Sequence, residues 1–140
     1  MRRVLVVDDQ SVVRYLVKQV LELWDGHVEV QEAEDGLEAL HILGTATFDL
    51  VVCDINMPNL SGVGLLERVR KMGYHQNLPI IMLTSRTGGE DIAEAMRLGA
   101  TGYVTKPFNM EELLEVLNAC SDWDLRKAGV SLADLPGDAG

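Results

Sequence analysis

The sequence of 140 residues has few cysteines, few aromatic side chains and no long apolar run. Its two cysteines, Cys53 and Cys120, stand in no metal-ligand spacing, so a cysteine-based metal site is not expected. The amino terminus shows no charged region followed by a long apolar stretch. We therefore expect a cytoplasmic protein with no membrane insertion.

Basic residues are also scarce. The chain has twelve Lys and Arg and 22 Asp and Glu, which gives a formal charge of −10. The resulting negative electrostatic field repels nucleic acid and anionic lipid. Direct nucleic-acid binding is therefore not expected. Apolar types make up 47% of the chain, the balance of a globular protein, and the length suits one domain. We predict one domain over residues 1–120 and a tail over 121–140, extended or partly packed.

Short apolar runs alternate with helical patterns along the whole chain. Four of the five runs are continuously apolar, as in parallel strands covered on both faces. The second run alternates and indicates an edge strand, so we expect one margin of the sheet to be more exposed to solvent. Serial βα units favour an α/β three-layer sandwich with a five-stranded parallel sheet. The flavodoxin-like order 2-1-3-4-5 is the commonest for such a chain. The predicted strands are Val4–Val7, Val28–Val30, Leu50–Cys53, Ile80–Leu83 and Tyr103–Val104.

The intervening helices have recognisable ends. Polar residues suited to cap a helix precede the apolar periodicity, and acids three residues later complete capping boxes. The predicted caps are Ser11, Asp35 with Glu38, Thr87 with Glu90, and Asn109 with Glu112; Gly44 should end the second helix. The first helix should bury Val13, Leu16, Val17, Val20, Leu21 and Trp24 on one face.

Polar side chains follow four of the predicted strands. Asp8 and Asp9 follow the first, Asp54 the third, Thr84 the fourth and Lys106 the fifth. Open α/β sheets bind ligands at this edge. Three carboxylates repel one another unless a cation lies among them, and oxygen ligands alone favour Mg²⁺. An ammonium and a hydroxyl beside them suit the oxygens of a phosphoryl group, so the pattern indicates phosphoryl transfer.

Four motifs in this order closely resemble the receiver domain of bacterial two-component response regulators. The resemblance covers residues 3–120 and is carried by all four motifs together. They are Asp8-Asp9 after the first strand, Val52-Cys53-Asp54-Ile55-Asn56-Met57-Pro58 after the third, Leu83-Thr84-Ser85 after the fourth, and Tyr103-Val104-Thr105-Lys106-Pro107-Phe108 after the fifth.

The resemblance implies a role for each site residue. Asp54 is the implied phosphoacceptor, which takes a phosphoryl group from a sensor histidine kinase or a histidine phosphotransfer protein. The implied ligands of Mg²⁺ are Asp9, Asp54 and the main-chain carbonyl of Asn56, with Asp8 acting through a water. Lys106 is expected to pair with the phosphoryl oxygens, and Thr84 to donate its hydroxyl to one of them.

The resemblance also implies a conformational output. Thr84 and Tyr103 are the expected switch residues, and they should alter the face made by the fourth helix, fifth strand and fifth helix, to which a downstream protein binds. A cis bond between Lys106 and Pro107 is expected as well. The resemblance suggests a stand-alone receiver, a monomer or a phosphorylation-dependent dimer, that catalyses only its own phosphorylation and dephosphorylation; a truncated chain is the competing explanation.

Two other functions stay open at this point. A phosphatase of the haloacid-dehalogenase type also uses a strand-end aspartate with Mg²⁺. The pattern of such enzymes has a second aspartate two residues later, which serves as general acid, and this chain has Asn56 at that position. A phosphorylation-independent adaptor with the receiver fold is the other alternative.

Overall fold

The computed structural model describes residues 2–85 and 89–120. Five strands alternate with five α-helices, and a short 3-10 helix at Gly73–His75 precedes the fourth strand. The strands are β1 Arg2–Val7, β2 Val28–Ala33, β3 Leu50–Asp54, β4 Ile80–Ser85 and β5 Gly102–Lys106. The helices are α1 Ser11–Trp24, α2 Gly36–Thr45, α3 Gly62–Arg70, α4 Gly89–Arg97 and α5 Met110–Cys120.

The sheet is parallel throughout and has the order β2-β1-β3-β4-β5, which confirms the predicted topology. The chain passes from β1 outward to β2 and then crosses back to β3, so the strand order reverses beside β1 and β3. Ligands bind at the carboxyl ends of strands at such a reversal. Both edge strands are partly exposed, so the prediction of a single wetter margin is wrong for β5.

Two apolar layers cover the two faces of the sheet, because successive side chains of a strand point to opposite faces. On β1, Val4 and Val6 pack toward α1 and α5, whereas Leu5 and Val7 pack toward the layer of α2, α3 and α4. Every residue of β3 is buried. The three-layer sandwich is therefore the one that the apolar runs predict.

The helix ends agree with the sequence in part. Asp35 accepts a hydrogen bond from the Glu38 N–H at 2.8 Å, and Asn109 accepts one from the Glu112 N–H at 2.8 Å, so both caps are confirmed. Ser11 is not the cap of α1. That position belongs to Gln10, whose side chain makes no capping bond, and Ser11 is the first helical residue.

One further helix end and one predicted core residue differ from the sequence-based predictions. Helix α2 runs one residue past Gly44 to Thr45. Leu16, which was predicted to be buried, is 49% exposed. It lies on the outer side of α1, where Val12 and Leu23 are exposed as well. The predicted cap at Thr87 and the predicted tail over residues 121–140 lie outside the described residues.

Candidate active site

The first connection of the site is the three-residue loop between β1 and α1. Asp8 continues the strand pairing, since its N–H donates to the Ala33 carbonyl at 3.1 Å. Its carboxylate is fully buried, and Oδ1 accepts from the Gln10 N–H at 2.9 Å. Asp9, the next residue, is exposed. The loop therefore presents one buried and one exposed carboxylate at the carboxyl edge of the sheet.

Asp54 ends the central strand β3 and is only 5% exposed. Behind it, the start of α3 approaches so closely that a Cβ on Gly62 would collide with the Asp54 carbonyl oxygen. The Gly62 N–H donates to the Ile55 carbonyl at 2.8 Å, which fixes that approach. Because Gly62 has no side chain, α3 can pack directly against the end of β3.

Lys106, the last residue of β5, reaches two carboxylates. Its Nζ lies 2.7 Å from Asp8 Oδ2 and 3.4 Å from Asp54 Oδ1. The peptide bond that follows, Lys106–Pro107, is cis, as expected. Oxygens of Asp8, Asp9 and Asp54 lie within 4.8 Å of one another. The structure thus brings together four residues that the sequence separates by up to 98 positions.

The electrostatics of Asp54 follow from this crowding. Burial raises the pKa of Asp54 first, and the charge of Asp8 raises it further, while Lys106 and the backbone N–H of Asn56 act in the opposite direction. The ionised carboxylate is therefore costly in the isolated protein, and added positive charge would favour it. Burial likewise raises the pKa of the neighbouring Cys53 thiol well above its usual range, which makes an unreactive thiol.

The donor set fits a magnesium ion. All the candidate ligands are oxygens, and Mg²⁺ in proteins is commonly held by one or two carboxylates together with waters. Asp9 is exposed at the site, whereas Asp8 is fully buried and both of its carboxylate oxygens accept hydrogen bonds. Asp8 therefore suits a water-mediated contact better than direct ligation. Asn56 lies beside the acids in the β3–α3 loop.

The two predicted switch residues occupy different environments. Thr84 on β4 is 2% exposed, and its hydroxyl donates to the Ser85 carbonyl at 3.3 Å. Tyr103 on β5 is 47% exposed. One residue lies at the buried carboxyl edge of the sheet and the other on the outside of the edge strand.

Two residues beside the site, Arg14 and Asn59, make contacts that the sequence did not predict. Arg14 of α1 donates to the Asp8 carbonyl at 2.6 Å and to Glu32 at 2.9 Å. Asn59, which has a left-handed backbone with φ 68°, donates to Asp35 at 2.8 Å and so joins the β3–α3 loop to the start of α2. Neither pair forms a short motif. Arg14 carries one weak signal, a position in the first turn of the helix that follows the two acids, and this is equally typical of a solvated helix face.

Fold and site together define a class of protein. It is a flavodoxin-like α/β domain that gathers three carboxylates and a lysine where its strand order reverses. Among the described residues, no helix is both long and apolar enough to cross a membrane.

Comparison with known proteins narrows this class to one family. The family model of the response regulator receiver domain matches residues 4–118, and the chain belongs to that family. Chemotaxis protein CheY-3 of Vibrio cholerae is 41% identical over 116 residues, which are 83% of this chain and 88% of the relative. Chemotaxis protein CheY of Pseudomonas aeruginosa is 39% identical over 113 residues, 81% of this chain and 90% of the relative.

Solved structures agree with the sequence relatives. The chemotaxis response regulator CheY4 of Vibrio cholerae superposes with a TM-score of 0.77 at 41% identity, covering 84% of this chain and 97% of that chain. The chain is thus a response regulator receiver domain that is similar to chemotaxis regulators. Its relatives are signal-transfer proteins rather than classical enzymes, so the family match argues against the phosphatase alternative.

Proposed function

We propose that the protein is a phospho-accepting response regulator in which Asp54 receives the phosphoryl group. One observation carries the proposal: the nearly buried carboxylate of Asp54 lies 3.4 Å from an ammonium and within 4.8 Å of two further carboxylates. A carboxylate nucleophile needs its charge offset before an anionic phosphoryl group can approach, and this surrounding suits that task.

Each neighbour of Asp54 has a distinct role in the proposal. Asp9, Asp54 and the Asn56 main-chain carbonyl would hold Mg²⁺, and Asp8, which is fully buried and already bound by Gln10 and Lys106, would contribute through a water. Magnesium, when bound, supplies positive charge that offsets the acids and the incoming phosphoryl oxygens. Lys106 pairs with a phosphoryl oxygen, and the buried hydroxyl of Thr84 turns from the Ser85 carbonyl to donate to another.

The proposed step is a transfer between a histidine and an aspartate. An oxygen of Asp54 forms a bond to phosphorus while the P–N bond of a phosphohistidine breaks. The electron pair of that bond returns to the imidazole of the sensor kinase or phosphotransfer protein. Water later attacks the aspartyl phosphate, which releases inorganic phosphate and restores Asp54.

The proposed output uses the face formed by α4, β5 and α5. Tyr103 is 47% exposed there, and in the proposal it turns inward when Thr84 moves toward the phosphoryl group. Phosphorylation then shifts a two-state equilibrium, and a change from 1:99 to 99:1 requires about 5.5 kcal/mol. A downstream protein reads the altered face. Residues 1–120 act as the receiver, as a monomer or a phosphorylation-dependent dimer.

Intact mass spectrometry tests the acceptor. The wild type, incubated with acetyl phosphate and Mg²⁺, should gain one phosphoryl group, and Asp54→Asn should gain none. Asp91→Asn serves as the matched control, since Asp91 is an exposed aspartate in the first turn of α4. A phosphate adduct retained in Asp54→Asn moves the acceptor to another residue, and no adduct in the wild type favours a phosphorylation-independent adaptor.

A further inference from the structure

We propose that Arg14 is a positioning residue that orients the Asp8–Asp9 peptide for cation binding, and that Glu32 holds Arg14 in place. This inference rests on the proposed function, because it assigns a task to a residue beside the proposed magnesium site. Arg14 lies in the first turns of α1, directly after the loop that carries both acids.

The Asp8 backbone is held from two sides. Its N–H donates to the Ala33 carbonyl of β2 at 3.1 Å, which continues the sheet ladder. Its carbonyl accepts from Arg14 Nη1 at 2.6 Å. The carbonyl of Asp8 and the N–H of Asp9 belong to one planar peptide unit. The Arg14 bond therefore fixes the plane from which the Asp9 side chain departs.

Asp9 depends on this restraint more than Asp8 does. The Asp8 carboxylate is anchored by the Gln10 N–H and by Lys106 Nζ. Within residues 2–85 and 89–120, no side chain or backbone N–H donates to the Asp9 carboxylate, which is exposed. Among the described residues Asp9 thus has no hydrogen-bond donor of its own, and its direction is set by the backbone that Arg14 holds.

Glu32 completes the arrangement from the neighbouring strand. Arg14 Nε donates to Glu32 Oε1 at 2.9 Å, and the Arg14 side chain is only 11% exposed. Glu32 pairs with Val6 in the β1–β2 ladder, so it is fixed relative to the strand that ends at the acids. A guanidinium can donate in two directions from a rigid fork, whereas a lysine ammonium is a flexible point charge. The geometry therefore requires arginine rather than positive charge alone.

Isothermal titration with Mg²⁺ alone separates positioning from charge. Arg14→Lys and Arg14→Gln should both weaken Mg²⁺ binding by about 10-fold, the lower end of the range for residues that orient metal ligands. A purely electrostatic role predicts the opposite pattern, in which Arg14→Lys matches the wild type and Arg14→Gln binds Mg²⁺ more tightly. Lys18→Gln is the matched control, because it removes one positive charge from the same helix without touching the loop, and it should not weaken binding.

Glu32→Ala provides a second variant that leaves Arg14 intact. It should weaken Mg²⁺ binding less than Arg14→Gln, and the double variant should bind no more weakly than Arg14→Gln alone. Thermal melts without Mg²⁺ show whether each variant is folded. Wild-type affinity in folded Arg14→Lys and Arg14→Gln overturns the positioning role and leaves the proposed function intact. Absence of Mg²⁺ binding by the wild type overturns both.

Discussion

Lys106 lies closer to Asp8 than to Asp54, with Nζ–O distances of 2.7 Å and 3.4 Å. The ammonium thus makes its shorter bond to the fully buried acid and its longer one to the proposed acceptor. A phosphoryl group on Asp54 would offer Lys106 new oxygens on the side of the longer contact. The lysine therefore both neutralises the buried acids before the reaction and has a partner to gain from it.

Replacing Lys106 should destabilise the fold. In Lys106→Met the buried Asp8 carboxylate loses its cation, and removing one partner of a buried ion pair costs about 3 kcal/mol. Urea denaturation in magnesium-free buffer measures the change. Lys71→Met is the control, since Lys71 makes an exposed pair with Glu67 and should cost less than about 1 kcal/mol. Equal losses in the two variants would show that Lys106 does not neutralise the buried acids.

Asp54→Asn should stabilise the protein at neutral pH in the absence of Mg²⁺. The pKa of Asp54 is raised in the folded state, chiefly by burial, so the folded state binds its proton more tightly than the unfolded chain does. This contribution to stability is full below the unfolded pKa near 3.8 and is lost as the pH rises through the higher folded pKa. Urea denaturation of both proteins across that range should show the advantage of Asp54→Asn growing with pH and then levelling. A pH-independent difference would contradict it.

Gly62→Ala should be strongly destabilising. The added methyl group would meet the Asp54 carbonyl oxygen and would lie 2.8 Å from Ile55 Cα, and these backbone atoms of β3 and its loop cannot yield cheaply. We expect a loss of about 3 kcal/mol, typical of overpacking at a buried position, together with slower phosphorylation. Gly44→Ala should instead stabilise by about 1 kcal/mol, because Gly44 is helical and a Cβ there meets nothing within 4 Å. Thermal denaturation and acetyl phosphate labelling measure the pair.

Arg70→Ala should loosen the carboxyl-terminal end of α4. The Arg70 guanidinium donates to the Gly99 carbonyl at 2.8 Å and 3.2 Å and to the His75 carbonyl at 3.0 Å. Its removal should lower the free energy of unfolding by about 2 kcal/mol and speed amide exchange at Ala100. Arg68→Ala, at an exposed position two residues earlier, should change neither quantity. Unaltered exchange in Arg70→Ala would show that α4 is held by other contacts.

The apolar runs predicted the strands because burial on both faces leaves a direct record in residue type. The strand ends were predicted too short. Arg2, Glu32 and Ser85 belong to strands only through hydrogen bonds to neighbouring strands, and a single sequence does not show such pairing. The prediction that Leu16 is buried was wrong because residue type alone does not decide burial: an apolar residue at the edge of a helical stripe can face the core or the solvent.

The site was predictable where several strands each ended in one or two polar residues at the same edge of the sheet. Asp8, Asp9, Asp54 and Lys106 were expected together and lie together. Arg14 was not predictable, because its role depends on the geometry of a three-residue loop rather than on spacing along the chain. The direction of the backbone decides which residues face each other across a turn, and residue type predicts that direction poorly.

The Arg70 contact with Gly99 has a mechanical consequence for helix α4. Arg70 of α3 binds the Gly99 carbonyl just beyond the carboxyl-terminal end of α4. This contact lies at the amino-terminal ends of the strands, opposite the edge that carries the acids. Together with the buried Ala95 near the middle of α4, this contact anchors the carboxyl-terminal half of the helix, so we expect any displacement of α4 to be larger in its first turn than at Arg97.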